Sequence, residues 1–209
     1  MPSIERWRQV WKRFGVSAPN EIFQDLIARY SEVHRKYHTM QHLDECFDKL
    51  QEIRAAAVHP NEIELALWFH DAIYDVKRQD NEERSANWAC STALAAGLSI
   101  SIAERVHALV MATRHDAMPN HVDEQILVDV DLSILGAKPD RFDEYERQVR
   151  EEYHWIPDLL FEAKRRRVLT QFLERSKIFS TEQFLNSYEA QARTNLERSI
   201  KKLMAKQAL

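Results

Sequence analysis

Side chains that could bind a divalent metal occur at four places in otherwise apolar, helix-like segments of this sequence. Imidazole and carboxylate together suit borderline or hard divalent ions such as Mn, Fe, Co, Ni, Zn or Mg. A charged carboxylate is costly to bury unless it is paired or bound to a metal. The sequence therefore predicts a divalent metal site, with four candidate places: His38 with His42, the adjacent His70 and Asp71, His115, and Asp129 with Asp131.

A structural role is the alternative interpretation of each candidate. His38 and His42 are four residues apart, so they share a face only if their helix, for which Thr39 is the predicted N-cap, begins early enough. A solitary histidine on a helix is usually structural. Asp71 and Asp131 could instead cap a helix or pair with a cation, although their apolar neighbours favour metal binding. The residue types alone leave both interpretations open.

The residues from Leu65 to Asp75 form the segment around which we expect the fold to be built. Their apolar side chains could surround a helix, which indicates a buried helix that Pro60 opens and that carries His70 and Asp71 near its other end. The chain has only three glycines, and the alternating pattern of strands is hard to find. An all-α protein is therefore predicted, with further helices over residues 4–14, 21–30, 40–57, 81–96, 102–114, 124–135, 140–153, 158–176 and 181–206.

Length and composition favour one domain with an added lobe. A chain of 209 residues can bury a substantial core. The helices after residue 139 are far more charged than those before it, so we expect a core over about 20–136 and a helical C-terminal lobe over 139–209 that packs on it. An aromatic stripe at Trp7, Trp11 and Phe14 either covers the domain's own core or forms an interface between two copies, as in a homodimer.

Charge and cysteine usage indicate a soluble protein of the cytoplasm. The formal net charge of -4 and the pI near 6.1 give no basic surface for duplex nucleic acid. The charged N-terminal segment predicts neither a signal peptide nor a membrane span, so no membrane association is expected. Cys46 and Cys90 lack the spacing of a zinc or redox motif, and we interpret both as buried thiols in a reducing compartment.

The order of the candidate ligands, a histidine, then His-Asp, then an aspartate on successive helices, resembles the HD superfamily of metal-dependent phosphohydrolases. The resemblance is strongest to an uncharacterised bacterial branch of predicted HD phosphohydrolases, and it extends into the C-terminal lobe at residues 150–153 and 192–195. It implies an HD-type helical bundle. The motifs that carry it are KYHTMQH at 36–42, WFHDAIY at 68–74, NEERSA at 81–86, ATRH at 112–115 and DVDLSILG at 129–136.

The same resemblance implies the ligands and the reaction. Four protein ligands on a six-coordinate metal leave positions for water and a phosphate oxygen. The implied activity is hydrolysis of a small phosphorylated molecule, with a nucleotide as the first expectation, by a metal-activated water. The implied metal ligands are His42, His70, Asp71 and Asp131, with His38 and Asp129 as secondary candidates.

Catalysis and substrate binding need further side chains. Glu82 is predicted as the general base or as the residue that positions the water, because it begins a helix beside the expected site, and Asp71 competes for this role. Guanidinium groups match phosphate geometry, although a solvated salt bridge is the alternative for each C-terminal arginine. The predicted phosphate contacts are Arg114, His115, Arg150, Arg167 and Arg193, and His115 could instead bind a second metal.

The sequence disfavours two branches of the HD superfamily and leaves two other functions as alternatives. HD-type hydrolases of guanosine tetraphosphate carry a Glu-Asp pair just after His-Asp, and the cyclic-dinucleotide phosphodiesterases carry a Gly-Tyr-Pro motif. This chain has neither feature. HD-fold di-iron oxygenases need two more histidines, for which His107 and His115 could serve. The remaining alternative is a non-catalytic, nucleotide-binding regulatory protein that has kept the fold.

Overall fold

Helices account for the regular secondary structure of residues 2–207, the part of the chain that the computed structural model describes. The all-α class predicted from the sequence is confirmed. Within this range no helix is long and apolar enough to cross a membrane. The α-helices are α1 (Ile4–Arg13), α2 (Asn20–Tyr30), α3 (Met40–Ile53), α4 (Pro60–Phe69), α5 (Asn81–Ala95), α6 (Ile100–Ala112), α7 (Val122–Asp131), α8 (Pro139–Glu152), α9 (Asp158–Leu173) and α10 (Glu182–Gln207).

The chain divides into two compact units, Met1–Asp131 and Leu132–Leu209. The first unit contains α1 to α7. The second unit begins with a 3-10 turn over Leu132–Gly136 and continues with α8 to α10. The helix predicted over 124–135 is therefore too long, because the backbone tightens into this turn directly after Asp131.

Close packing against α10 explains the 3-10 turn that opens the second unit. A Cβ atom added to Gly136 would lie 2.7 Å from the Cβ of Tyr188, so no larger residue fits there without a shift of the backbone. The Nδ2 of Asn195 donates hydrogen bonds to the carbonyl oxygens of Leu135 (2.9 Å) and Ala137 (2.8 Å). The turn is thus fixed to α10 by a hydrogen-bonded amide and a contact that needs glycine.

Helix α4 lies at the centre of the first unit. Its residues 62–69 are all buried, and it contacts α1, α3, α5, α6 and α7. The Trp68 ring packs against those of Trp7 and Phe23, with centroids 5.4 and 5.9 Å apart. Burial of an aromatic side chain contributes about 2–3 kcal/mol. Trp7 and Trp11 are fully buried, so these two members of the aromatic stripe cover the unit's own core.

Helix α4 ends one residue before the His-Asp pair. Its last residue is Phe69, His70 follows as the C-cap, and Asp71 lies in the turn beyond. This corrects the expectation that the helix itself carries both residues. The buried guanidinium of Arg35 donates hydrogen bonds to the carbonyl oxygens of Asp71 (2.6 Å) and Ala72 (3.0 Å), which stabilises the turn.

Two carboxylates near the start of α4 are buried and paired with arginines. Glu62 accepts two hydrogen bonds from Arg105, at 2.7 and 2.6 Å. Glu64 accepts from Arg13 at 2.6 Å and from Arg54 at 2.7 Å. A buried carboxylate keeps its charge only with such partners. These pairs therefore fasten α1, α4 and α6 to one another.

We expect Glu64→Gln to destabilise the protein by about 2 kcal/mol. A neutral amide cannot accept hydrogen bonds from two arginines as a carboxylate does. The partial exposure of both guanidinium groups limits the loss of stability. Unfolding in urea measures this free energy. The matched control is Glu21→Gln at an exposed position in the first turn of α2, which should change stability by less than about 0.5 kcal/mol. Equal stability of the two variants would contradict the role of Glu64.

Candidate metal centre

Three helices of the first unit bring the predicted metal ligands together. His42 lies in the first turn of α3, whose N-cap Thr39 accepts a hydrogen bond from the Gln41 backbone N–H at 3.3 Å. His70 follows the end of α4, and Asp131 is the last residue of α7. Helix ends can place short side chains at one point while the helix bodies stay packed. The four predicted ligands are therefore neighbours although 89 positions separate the first from the last (131 − 42).

The ligand atoms have the separations expected around one metal ion. The Nε2 atom of His42 lies 3.1 Å from His70 Nε2 and 3.2 Å from Asp131 Oδ1. The Oδ2 atom of Asp71 lies 3.0 Å from His70 Nε2 and 3.5 Å from His42 Nε2. Ligands bound at about 2.1 Å lie about 3.0 Å apart in octahedral geometry and about 3.4 Å apart in tetrahedral geometry. The residues therefore fit a divalent metal.

Hydrogen bonding orients His70 for metal binding. Its Nδ1 lies 2.8 Å from the carbonyl oxygen of Leu67, and only a protonated nitrogen can donate to that acceptor. In the neutral ring, the lone pair then sits on Nε2, which faces the carboxylates. Metal-binding histidines commonly use their second nitrogen in this way. His70 is thus held in the tautomer that a ligand requires.

The charges of the cluster are strongly coupled. Burial alone would lower the pKa of His70, but Asp71, together with Asp131 and the Leu67 carbonyl, outweighs burial and raises that pKa to about 9. Burial alone would raise the pKa of Asp71, but His70 and then His38 bring it well below its usual range. Hydrogen bonds with His115 and His42 likewise lower the pKa of Asp131 against the effect of burial. The acids therefore stay ionised, and a bound cation would replace the proton on Nε2 of His70.

Cys46 is a member of the cluster that the sequence interpretation missed. It lies one turn after His42 on α3, and its Sγ is 3.7 Å from both ring nitrogens of that histidine. The described residues include one group of donor atoms that all lie within 4.8 Å of one another, from His42, Cys46, His70 and Asp131. Spacing of four residues from His42 was the signal that could have identified it. Cys90 is only partly buried and lies outside this group, which corrects the expectation of two buried thiols.

The two secondary candidates lie outside this four-residue group. The His38 ring stacks on that of Tyr74 at 4.1 Å and meets the His42 ring edge-on at 6.1 Å, and its charge contributes to the low pKa of Asp71. Asp129 is completely buried on α7. His38 therefore lies beside the cluster without belonging to it, and Asp129 is a buried acid two residues before Asp131.

Arg35 and Tyr30 support the His-Asp turn from behind, and neither was predicted from the sequence. Besides its bonds to the turn carbonyls, Arg35 donates to Glu32 at 3.0 Å. The Tyr30 hydroxyl accepts from the Asp71 backbone N–H at 3.3 Å and donates to the Trp68 carbonyl at 3.4 Å. Burial and then the Asp71 charge raise the pKa of Tyr30, so the hydroxyl keeps its proton. These contacts fix the backbone from which the Asp71 side chain projects.

Hydrogen bonds on both sides of Glu82 tie the start of α5 to the segment after Asp71. Asn81 accepts from the Asp75 backbone N–H at 3.1 Å and donates to its carbonyl oxygen at 2.9 Å. The Ser85 hydroxyl accepts from the Ile73 backbone N–H at 3.0 Å. Glu82 lies between these two attachments. Its position relative to the His-Asp turn is thus set by short, local contacts.

The charges near Glu82 come from three of the predicted functional residues. Burial is the largest cause that raises the pKa of Glu82, and the Asp71 charge adds to it. The charges of Arg114 and His115 act in the opposite direction. Glu82 is therefore close enough to Asp71, Arg114 and His115 for their charges to shift its pKa.

His115 contacts the cluster through Asp131. Its Nε2 lies 3.1 Å from Asp131 Oδ2, whereas the other oxygen of that carboxylate faces His42. His115 has a φ of 57°, the only positive φ of a non-glycine residue among residues 2–207. This conformation costs on the order of 1 kcal/mol, and such strain is concentrated at functional sites. The adjacent Arg114 is exposed and pairs with Asp116 at 3.1 Å.

The predicted phosphate contacts of the second unit differ in their partners. Arg150 binds Asp158 at 2.6 Å and the carbonyl oxygens of Tyr153 and Ile156. Arg193 binds Glu189 and the carbonyl oxygens of residues 173, 175 and 176. Both therefore have structural roles within this unit. Arg167 is exposed on α9. Phosphate binding by these arginines stays a prediction.

Loss of a ligand should weaken metal binding. We expect His70→Gln and Asp131→Asn each to raise the dissociation constant for zinc or manganese by at least about tenfold, since loss of a mere partner of a ligand already costs that much. Calorimetric titration of the purified protein measures this constant. His107→Gln is the control, because none of the contacts of the cluster within residues 2–207 involves His107. An unchanged constant in the ligand variants would refute the site.

Arg35 should act on the metal through the backbone of Asp71. We expect Arg35→Lys to weaken metal binding by about tenfold to a hundredfold, because an ammonium group cannot donate to two carbonyl oxygens and Glu32 in the geometry of the guanidinium fork. Arg29→Lys provides the control, since Arg29 pairs with the same Glu32 at 3.1 Å but is exposed. Equal dissociation constants for the two variants would show that Arg35 does not position the site.

Comparisons with known proteins identify no relative. No protein-family model, no curated protein and no solved structure matches this chain. The resemblance to the HD superfamily therefore stays a prediction. The structure contains a buried group of histidine, cysteine and aspartate side chains that could hold a metal ion.

Proposed function

We propose that this protein is a metal-dependent phosphohydrolase that acts on a small phosphorylated molecule, with a nucleotide as the first expectation. The observation that carries the proposal is the convergence of two imidazoles and two carboxylates next to a further acid and a basic pair. The two imidazole nitrogens lie 3.1 Å apart, and each lies 3.0–3.7 Å from an oxygen of both carboxylates. Metal, base and positive charge are the three requirements of phosphate-ester hydrolysis by water.

The metal would be held by His42, His70 and Asp131, with Asp71 as a further ligand or as a base. A divalent ion bound there supplies a Lewis acid for the phosphoryl group and lowers the pKa of a water molecule towards neutrality. His42 and His70 are almost completely buried, so their protein surroundings exclude competing water from that side. Asp71 and Asp131 are partly exposed, which leaves the carboxylate side open to a substrate.

Glu82 is the better candidate for the general base. A base works best when its pKa lies near the working pH. Burial raises the pKa of Glu82, whereas the imidazoles hold the pKa of Asp71 well below its usual range. Glu82 would take the proton of the attacking water onto a carboxylate oxygen, and Asp71 would remain an ionised partner of the histidines.

Arg114 and His115 would contact the phosphate. The ion pair between Arg114 and Asp116 is exposed, with 41% and 68% of the two side chains accessible, so exchange of this partner for a phosphate costs little. His115 is held at the cluster by Asp131, and its charge, like that of Arg114, acts on Glu82. Both side chains supply positive charge on the side of Glu82.

A panel of nucleotides and other phosphate esters, incubated with Mn, Co, Ni, Zn or Mg, tests the proposal. We expect phosphate release by the wild-type protein and a reduction of kcat by about 10²–10⁴-fold in Glu82→Gln with metal binding retained. Glu83→Gln, at the next and exposed position of α5, is the matched control. Unchanged turnover in Glu82→Gln would exclude Glu82 as the base, and no release from any ester would refute the activity.

One contact favours a second candidate, a di-iron oxygenase. The two oxygens of Asp131 face different histidines, Oδ1 towards His42 and Oδ2 towards His115, an arrangement that would suit a carboxylate shared by two metals. Two irons per chain with oxygen consumption would support this function. A tightly bound nucleotide without any turnover would instead support a regulatory protein.

A further inference from the structure

Cys46 has no role in the proposed reaction, yet it lies among the metal-binding side chains. We infer that the Cys46 thiolate is itself a metal ligand beside His42, His70 and Asp131, and that it makes the centre selective for zinc, cobalt, nickel or ferrous iron over magnesium and manganese. This inference rests on the metal centre of the proposed function and not on its reaction.

The distances suit a sulfur ligand. A metal that binds nitrogen at about 2.1 Å and thiolate sulfur at about 2.3 Å separates these two atoms by about 3.1–3.6 Å, depending on the coordination angle. The Sγ of Cys46 lies 3.7 Å from His42 Nε2, and its distances to the ligand atoms of His70 and Asp131 are within 4.8 Å. Because the same Sγ also lies 3.7 Å from His42 Nδ1, coordination beside Nε2 requires the thiol to rotate towards the metal.

The helix holds Cys46 towards the cluster. Residues four apart on a helix lie on the same face, and both His42 and Cys46 are at most 2% exposed on α3. An ordinary core cysteine packs as a small apolar group. Cys46 instead lies against a polar imidazole, and the charges of Asp131 and Asp71 add to burial in raising the pKa of its thiol. The sulfur therefore shares the buried surroundings of the predicted ligands His42, His70 and Asp131.

The chemistry of the thiolate gives the selectivity. Thiolate is a soft ligand that favours zinc and later transition metals, whereas magnesium and manganese favour oxygen ligands. On metal binding the thiol releases its proton to solvent, because a metal-bound cysteine is a thiolate. Zinc also accepts a fifth ligand, so a sulfur ligand and a substrate oxygen can share one metal.

Cobalt reports directly on the inferred bond. Cobalt(II) bound to thiolate shows charge-transfer absorption in the near ultraviolet, which imidazole and carboxylate ligands do not produce. We expect this band when cobalt is added to the metal-free wild-type protein, its loss in Cys46→Ser, and its retention in Cys90→Ser. Cys90 is the matched control because it is the other cysteine of the chain and lies outside the cluster.

Metal affinity provides a second measurement. We expect Cys46→Ser to weaken zinc binding by at least about tenfold while manganese binding changes less than about threefold, since only the former gains from a soft ligand. Circular dichroism of the metal-free variants verifies that they are folded, and Cys46→Ala replaces Cys46→Ser if the serine variant is not.

The outcomes separate this inference from the proposed function. Cobalt binding without the band in the wild-type protein, or a band that persists in the Cys46 variant, overturns the inference even if phosphate release is observed. A band that requires Cys46 supports it even if no ester is hydrolysed.

Discussion

Burial of charge is the constraint on which the first unit depends. Its core contains carboxylates close to apolar helices, and each can remain ionised only where a cation faces it. The structure meets this requirement in two ways. Glu62 and Glu64 are neutralised by arginines that reach inwards from partly exposed positions, whereas Asp71 and Asp131 face imidazoles that are themselves buried. The first arrangement fastens helices through ion pairs, while the second brings imidazole nitrogens and carboxylate oxygens together in a group that could hold a metal ion.

The apolar packing of α4 makes the second arrangement possible. The helix is buried on all sides over residues 62–69, so the residues that follow its end emerge at the middle of the unit. Arg35 and Tyr30 then hold the backbone of the turn that carries Asp71. Because these supporting groups are buried and hydrogen-bonded, the ligand positions are defined before any ion arrives. Such preorganisation reduces the cost of binding.

The sequence was sufficient to predict the all-helical class, the buried character of α4 and the Thr39 cap, because these depend on local periodicity and on side chains near their own backbone. Acids in apolar segments marked Asp71 and Asp131 as unusual, whereas the choice of His42, His70, Asp71 and Asp131 as one ligand set was implied by the resemblance to the HD superfamily. The role of Arg35 could not be predicted, because its partners are 36 and 37 residues away. Cys46 was overlooked because no motif marks it, and the ends of α4 and α7 were missed because contacts across the fold decide where those helices stop.

The paired attachments of Asn81 to Asp75 and of Ser85 to Ile73 also bear on how the protein could diversify. These hydrogen bonds hold the two ends of the surface segment at residues 76–79 close together. A change in the length of this segment therefore does not change the distance between Glu82 and the His-Asp turn. The entropy of loop closure grows slowly with length. A longer segment at this place would therefore add little to the free energy of folding and would leave the arrangement of His70, Asp71 and Glu82 unchanged.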